Sequence, residues 1–166
     1  MISKKITLIG DFSTGKTSLI KRFVDNTFSD KYLTTIGVKV SKKVINIEQN
    51  ILQVLIWDIE GGTPSKPINK TYLRGMHGSI IVADITREDT IESIKNYIDI
   101  AIEISSDIPI VIAINKCDML ESSSVDEVVK KLKTIYNEYE VFSVSAKSGK
   151  NVEELFISIA NKILNI

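Results

Sequence analysis

Residues Gly10 to Thr17 read GDFSTGKT, which fits the pattern G-x-x-x-x-G-K-[ST]. An apolar run, Ile6 to Ile9, precedes it and a helical pattern from Lys16 to Asn26 follows, the strand–loop–helix setting in which this pattern cradles phosphate. Gly10 and Gly15 let the backbone curl so that its N–H groups point inward at phosphate oxygens, which makes Asp11, Phe12, Ser13, Thr14, Gly15 and Ser18 candidate nucleotide-binding residues beside Lys16 and Thr17. The helix beginning near Lys16 adds the positive end of its dipole. Lys16 is placed to reach the outer phosphates, and the Thr17 hydroxyl to bind Mg²⁺.

The rest of the chain supports an α/β reading. Ser79–Ile85 and Ile108–Asn115 are near-continuous apolar, β-branched runs, as strands buried on both sheet faces require, and Val141–Ser145 is a shorter one. KKVINI and ILQVLIW flank Glu48, Gln49 and Asn50 and predict an antiparallel hairpin between Ser41 and Trp57. Helical spacing predicts further helices over Thr90–Ile104, Val125–Tyr139 and Val152–Leu164, with Asp89 and Asn151 as caps. Irregular stretches remain at Thr27–Val38 and Ile59–Met76, lengths that are usually functional in a compact domain.

Composition narrows the function classes. The 166 residues suit one domain, 1–166, with 43% hydrophobic residues. Lys+Arg and Asp+Glu are 21 each, which argues against a nucleic-acid binder held by bulk charge and gives no polybasic membrane footprint. One cysteine, Cys117, excludes an internal disulfide and points to a reducing, cytoplasmic setting. No apolar stretch reaches transmembrane length.

A second motif chooses the base. NKCD, Asn115 to Asp118, closes a buried strand at the ligand edge of the expected sheet. The Asp118 carboxylate can accept from the N1 and N2 donors of guanine, a donor pair that adenine lacks. Asn115 would brace the loops, the Lys116 stem would lie along the base, and Ser145, Ala146 and Lys147 would close the pocket from the other side.

GDFSTGKTSLIKRF, YLTTIGV, WDIEGG, NKCD and SAK, in this order, resemble the five guanine-nucleotide motifs of the Ras superfamily of small GTPases, its Rab-like branch above all. TYLRGMHGSIIVADIT resembles the Rab stretch after the second switch. The resemblance covers essentially the whole chain. It implies a P-loop NTPase G domain: a six-stranded, mostly parallel sheet with one antiparallel edge strand and helices on both faces. It implies that Thr35 ligates Mg²⁺ and touches the outermost phosphate, that Asp58 holds an Mg²⁺ water, that the Gly61 N–H meets that phosphate and that Phe28 stacks on guanine. Lys16, Thr35 and Gly61 would then serve GTP hydrolysis. Effectors, exchange factors and GTPase-activating proteins would bind through residues 27–45 and 57–77 of a monomer.

Four departures from the family pattern bear on activity. Phe12 and Ser13 stand where small residues are usual, Glu60 where Ala is usual, and Gly62 where the family carries its water-orienting Gln. The chain ends in NKILNI without a Cys, so a prenyl anchor, and with it peripheral membrane attachment, would need a further tail. The aromatic triad of the effector face keeps Trp57 and Tyr72 but has Val40 for Phe. Gly62 and Phe12 predict slow hydrolysis, which Gly62→Gln is expected to raise. Glu60 or Thr63 is near enough to compensate. A carboxylate about 5 Å from a phosphate charge is repelled by about 3 kcal/mol at an effective dielectric of about 20, so Glu60 is expected to turn away. A regulatory GTPase and a non-cycling nucleotide holder both remain open. An ATP-dependent kinase does not fit NKCD.

Overall fold

The computed structural model describes residues 1–31 and 33–165. Tyr32, the first residue of the YLTTIGV stretch, and Ile166, the last of the expected 1–166 unit, lie outside the described residues. Six strands, β1 (Ile2–Gly10), β2 (Val38–Ile47), β3 (Asn50–Ile59), β4 (Gly78–Asp84), β5 (Ile110–Asn115) and β6 (Glu140–Ser143), form one sheet in the order β2-β3-β1-β4-β5-β6. β2 and β3 are the antiparallel hairpin and β2 is an edge; every other pairing is parallel. The expected architecture is the one observed.

Strand alternation splits the core into two layers. Ile80 and Val82 of β4 face one side, packing with helices α1 (Lys16–Asp25) and α5 (Val152–Leu164). Phe23 and Phe156 stack there with centroids 4.0 Å apart, and burying such a ring contributes about 1.5–3 kcal/mol. Ile81 and Ala83 face the other side, against α3 (Ile94–Ile104) and α4 (Ser122–Ile135). Both faces of β4 and β5 are covered, which is why these strands read as continuous apolar runs.

Local details differ from the sequence expectation. The helix expected over Thr90–Ile104 divides at Ser93 into α2 (Glu88–Glu92) and α3, and the Ser93 N–H is shared between the carbonyls of Asp89 and Ile91. Asp89 lies inside the first turn of α2 rather than capping it; Arg87 is the cap residue. Asn151 precedes α5 in the left-handed conformation and makes no cap bond, because its side-chain amide donates to the Ser143 carbonyl and ties α5 to β6 (2.8 Å). α4 begins in the polar Ser122–Ser124 stretch, where apolar spacing gives no signal, and ends at Ile135, ahead of the expected Tyr139.

Candidate functional site

The carboxyl ends of β1, β3, β4 and β5 bring Gly10, Asp58, Asp84 and Asn115 to one edge of the sheet. A trough runs along this edge. Its wider part, about 320 Å³, is lined by Phe28, Asn115, Lys116, Asp118, Ala146 and Lys147. Its narrow part, about 40 Å³, is lined by Lys16, Thr17, Thr35, Asp58 and Gly61 among others. The two parts meet at Ser13, Gly15, Ser18 and Leu33.

Gly15 has φ +94, and a Cβ there would overlap the Asn115 side-chain amide, so only glycine fits. No side chain caps the start of α1, which leaves its first N–H groups aimed along the loop. Lys16 is buried, with its Nζ donating to the carbonyls of Gly10 (3.3 Å) and Asp11 (2.9 Å). Burial lowers its pKa to about 8, against the pull of Asp58 and Asp11, and Arg87 adds to the lowering. A bound phosphate would restore the charge. The sign follows: as pH rises through about 8 the free site loses its proton while the bound site keeps it, so nucleotide affinity should fall several-fold between pH 8 and 9 and by about tenfold per unit beyond. Titration calorimetry checks this, with Lys16→Arg, charged throughout, expected to flatten the profile.

At the narrow end the Thr17 and Thr35 hydroxyls lie 2.7 Å apart and both donate to Asp58 Oδ2, at 2.6 and 3.0 Å. Asp58 Oδ1 is buried without a hydrogen-bond partner. Burial raises the Asp58 pKa, with the two threonine bonds and Lys16 opposing. One carboxylate and two hydroxyls suit a hard divalent cation that keeps several waters. Among the described residues, no group of three His, Cys, Asp or Glu offers an alternative.

At the wide end Asn115 spans both rims: its Nδ2 donates to the Thr14 carbonyl (3.0 Å) and its Oδ1 accepts from the Ala146 N–H (3.2 Å). The Ser145 hydroxyl donates to Asp118 Oδ1 at 2.7 Å and aims the carboxylate. Lys116 reaches back to the Ser13 carbonyl (3.0 Å) and pairs with Asp84 Oδ2 (2.7 Å). Asp84 is buried, yet its carboxyl stays below the usual range because the bonds from Lys116 and Thr86 outweigh burial.

A sequence model of the Ras family matches residues 5–165. The chain belongs to the Ras family. It is 38% identical to Ras-related protein Rab-1C of Dictyostelium discoideum over 161 residues, 96% of this chain and 80% of that protein. It is 37% identical to human Ras-related protein Rab-8B (96% and 78% covered) and 34% identical to GTP-binding protein YPTM1 of Zea mays (96% and 77%). It is thus a Rab-like small GTPase, which binds GTP and GDP, hydrolyses GTP to GDP, and works with regulators and effectors. Among the described residues no helix is long and apolar enough to cross a membrane.

The structure of this GTPase places Gly62 differently from the sequence expectation. Gly62 is buried and does not line the narrow cavity. Its N–H donates to the Gly10 carbonyl (3.2 Å) and its carbonyl accepts from the Phe12 N–H (2.9 Å), so the second switch starts as a strip zipped to the phosphate loop. A Cβ on Gly62 would overlap the Tyr97 hydroxyl and come within 3.3 Å of Ile68 Cγ2. The side-chain direction at this position leads into α3, not toward phosphate.

Several supports have no motif. Tyr97 and Ser93 each donate to Asp11, at 2.7 Å, from α3 and its entry. Arg87 donates to the Phe12 carbonyl (2.9 Å). Arg22 of α1 donates to the carbonyls of Ala146 (2.8 Å) and Lys147 (2.7 Å). Only Asp84 had a sequence signal, a charge ending a buried apolar run beside the ligand edge. On the face expected to meet effectors Trp57 and Tyr72 are partly buried, the Lys5 ammonium lies 3.5 Å from the Trp57 ring centroid, and Val40 is 48% exposed.

Proposed function

We propose that this protein is a slow-hydrolysing guanine-nucleotide switch of membrane trafficking, whose GTP form recruits effectors through residues 27–45 and 57–77. One observation carries the slow rate: of Gly62, Glu60 and Thr63, the residues weighed for positioning an attacking water, none lines the narrow cavity. Gly62 offers none. The Glu60 carboxylate is turned away, accepting from the Gly37 N–H (3.1 Å) and pairing with Lys66 (3.0 Å). The Thr63 hydroxyl accepts from the Lys66 N–H (3.0 Å).

Thr17, Thr35 and Asp58 would hold Mg²⁺, which supplies charge neutralisation at the outer phosphates when bound. Lys16 adds its charge at the phosphate end, and the Gly61 N–H is at hand for the terminal phosphate. Phe28 would stack on the base, and Asp118, held by Ser145, would read its N1 and N2 donors.

Loss of water positioning costs one or more factors of ten, about 1.4 kcal/mol each, so intrinsic single turnover should be roughly tenfold or more below that of a relative with Gln at this place. A rate equal to such a relative's overturns the reading. The packing around Gly62 favours a different outcome for Gly62→Gln from the one the motif alone suggests. With the space taken by Tyr97, this variant should lose about 1–3 kcal/mol of stability in denaturant melts and gain no rate. Adding Tyr97→Ala should recover part of the stability, since the two sites share one space. The second reading, a non-cycling holder, draws support from the Gly62 zip. It predicts that nucleotide recovered after denaturation stays unchanged through hours with added GTP.

A further inference from the structure

We infer that Glu60 is a positioning residue for the first switch: its carboxylate replaces a backbone acceptor at the end of the β2–β3 ladder and biases residues 35–37 toward the closed arrangement in the GDP form as well as the GTP form. The inference rests on the guanine-nucleotide reading above.

The last regular pair of the hairpin is Val38 with Ile59. One step further, the Glu60 N–H donates to the Gly37 carbonyl (2.9 Å). The returning bond goes elsewhere: the Gly37 N–H is taken by the side chain, Glu60 Oε2, at 3.1 Å. Alanine at position 60 has no atom to offer it.

The carboxylate is itself held. Thr63 and Lys66 close a tight turn with two backbone bonds, at 2.9 and 3.2 Å, and the turn returns the Lys66 ammonium to both Glu60 oxygens, at 3.0 and 3.2 Å. The start of that turn is anchored by Gly62 to Gly10 and Phe12. Lys66 is 69% exposed, so its ion pair adds little by itself; the bond to Gly37 is the working contact. Two residues before Gly37, the Thr35 hydroxyl sits on Thr17 and Asp58. Hydrogen bonds joined by short stretches of chain thus lead from the phosphate loop through Gly62, Thr63, Lys66, Glu60 and Gly37 to Thr35, the residue placed to meet the metal.

Where switch loops are ordered by the third phosphate, its loss releases them. Here part of the ordering is supplied by the chain, so the conformational difference between the two nucleotide forms is compressed. A ligand shifts a two-state equilibrium only by its differential affinity for the states, so Glu60 is the main restraint on this segment in the GDP form, whereas in the GTP form the third phosphate would hold Thr35 independently of it.

Amide hydrogen exchange over residues 33–38 tests this, with protein loaded with GDP or with a non-hydrolysable GTP analogue and nucleotide content verified by chromatography. In the wild type, protection at Gly37 should differ less than about tenfold between the two forms. In Glu60→Ala it should fall tenfold or more in the GDP form while the GTP-analogue form keeps most of it. Glu60→Gln retains an acceptor for the Gly37 N–H and should restore part of the GDP-form protection; Lys66→Ala should change it little. Equal loss in both forms of Glu60→Ala would reduce the residue to a structural role and overturn the inference, as would a wild type already tenfold less protected with GDP. Nucleotide bound normally with either of these patterns spares the guanine-nucleotide reading; a chain that carries no guanine nucleotide overturns both.

Discussion

Asparagine in place of Asp118 should lower GTP and GDP affinity by roughly 10²- to 10⁴-fold and make xanthine nucleotides the better ligands. The carboxylate is placed as an acceptor in the wide cavity, and Ser145 fixes its orientation by donating to Oδ1. An amide in its place presents donors to the donors of guanine, whereas xanthine carries a carbonyl where guanine has its amine. Competition of labelled GDP by GDP and by xanthosine diphosphate reads both effects in one titration. Unchanged preference for guanine, or equal affinity for ATP and GTP in the wild type, would remove the base-reading role from NKCD.

At the other end of the trough, Lys16→Ala should weaken nucleotide binding by about 2–5 kcal/mol, the usual result of truncating one partner of a buried charge pair. Lys16 is 6% exposed, and among the described residues no other lysine or arginine lines the narrow cavity. Thr17→Asn should weaken GTP binding more than GDP binding, because the cation that Thr17 would hold would supply charge neutralisation to the third phosphate, which GDP lacks. Calorimetry with each nucleotide, at fixed Mg²⁺ and with folding checked by circular dichroism, measures both. Unchanged GTP affinity in both variants would mean that the phosphates lie elsewhere.

The parts legible in the sequence are those whose chemistry is local. GDFSTGKT and NKCD carry donors, acceptors and turns within a few residues, and the strand runs around them report burial on two faces. Thr35 and Asp58 were reached only through resemblance, since nothing in their neighbourhoods shows that their oxygens meet Thr17. Two of the braces were not legible at all: Arg22 meets Ala146, and Tyr97 meets Asp11, across separations of 124 and 86 residues. The surroundings of Gly62 are hidden for the same reason. Its position beside the catalytic motif suggested a missing side chain, while the space around it is set by Tyr97 from α3. Glu60 was readable from electrostatics, as a carboxylate expected to avoid phosphate, but its partner Gly37 belongs to another strand end.

Asn115 belongs to both rims of the trough, through Thr14 on one side and Ala146 on the other. Lys116, on the Ser13 carbonyl, ties the same two loops, so the residence time of a nucleotide should follow a shared restraint rather than two independent latches. A protein that levers the phosphate loop aside draws away an anchor of the base loop, and pressure on the base loop loosens the phosphate loop in return. A catalyst of release needs a grip on one end only, and the two ends of the nucleotide should leave as a single kinetic event.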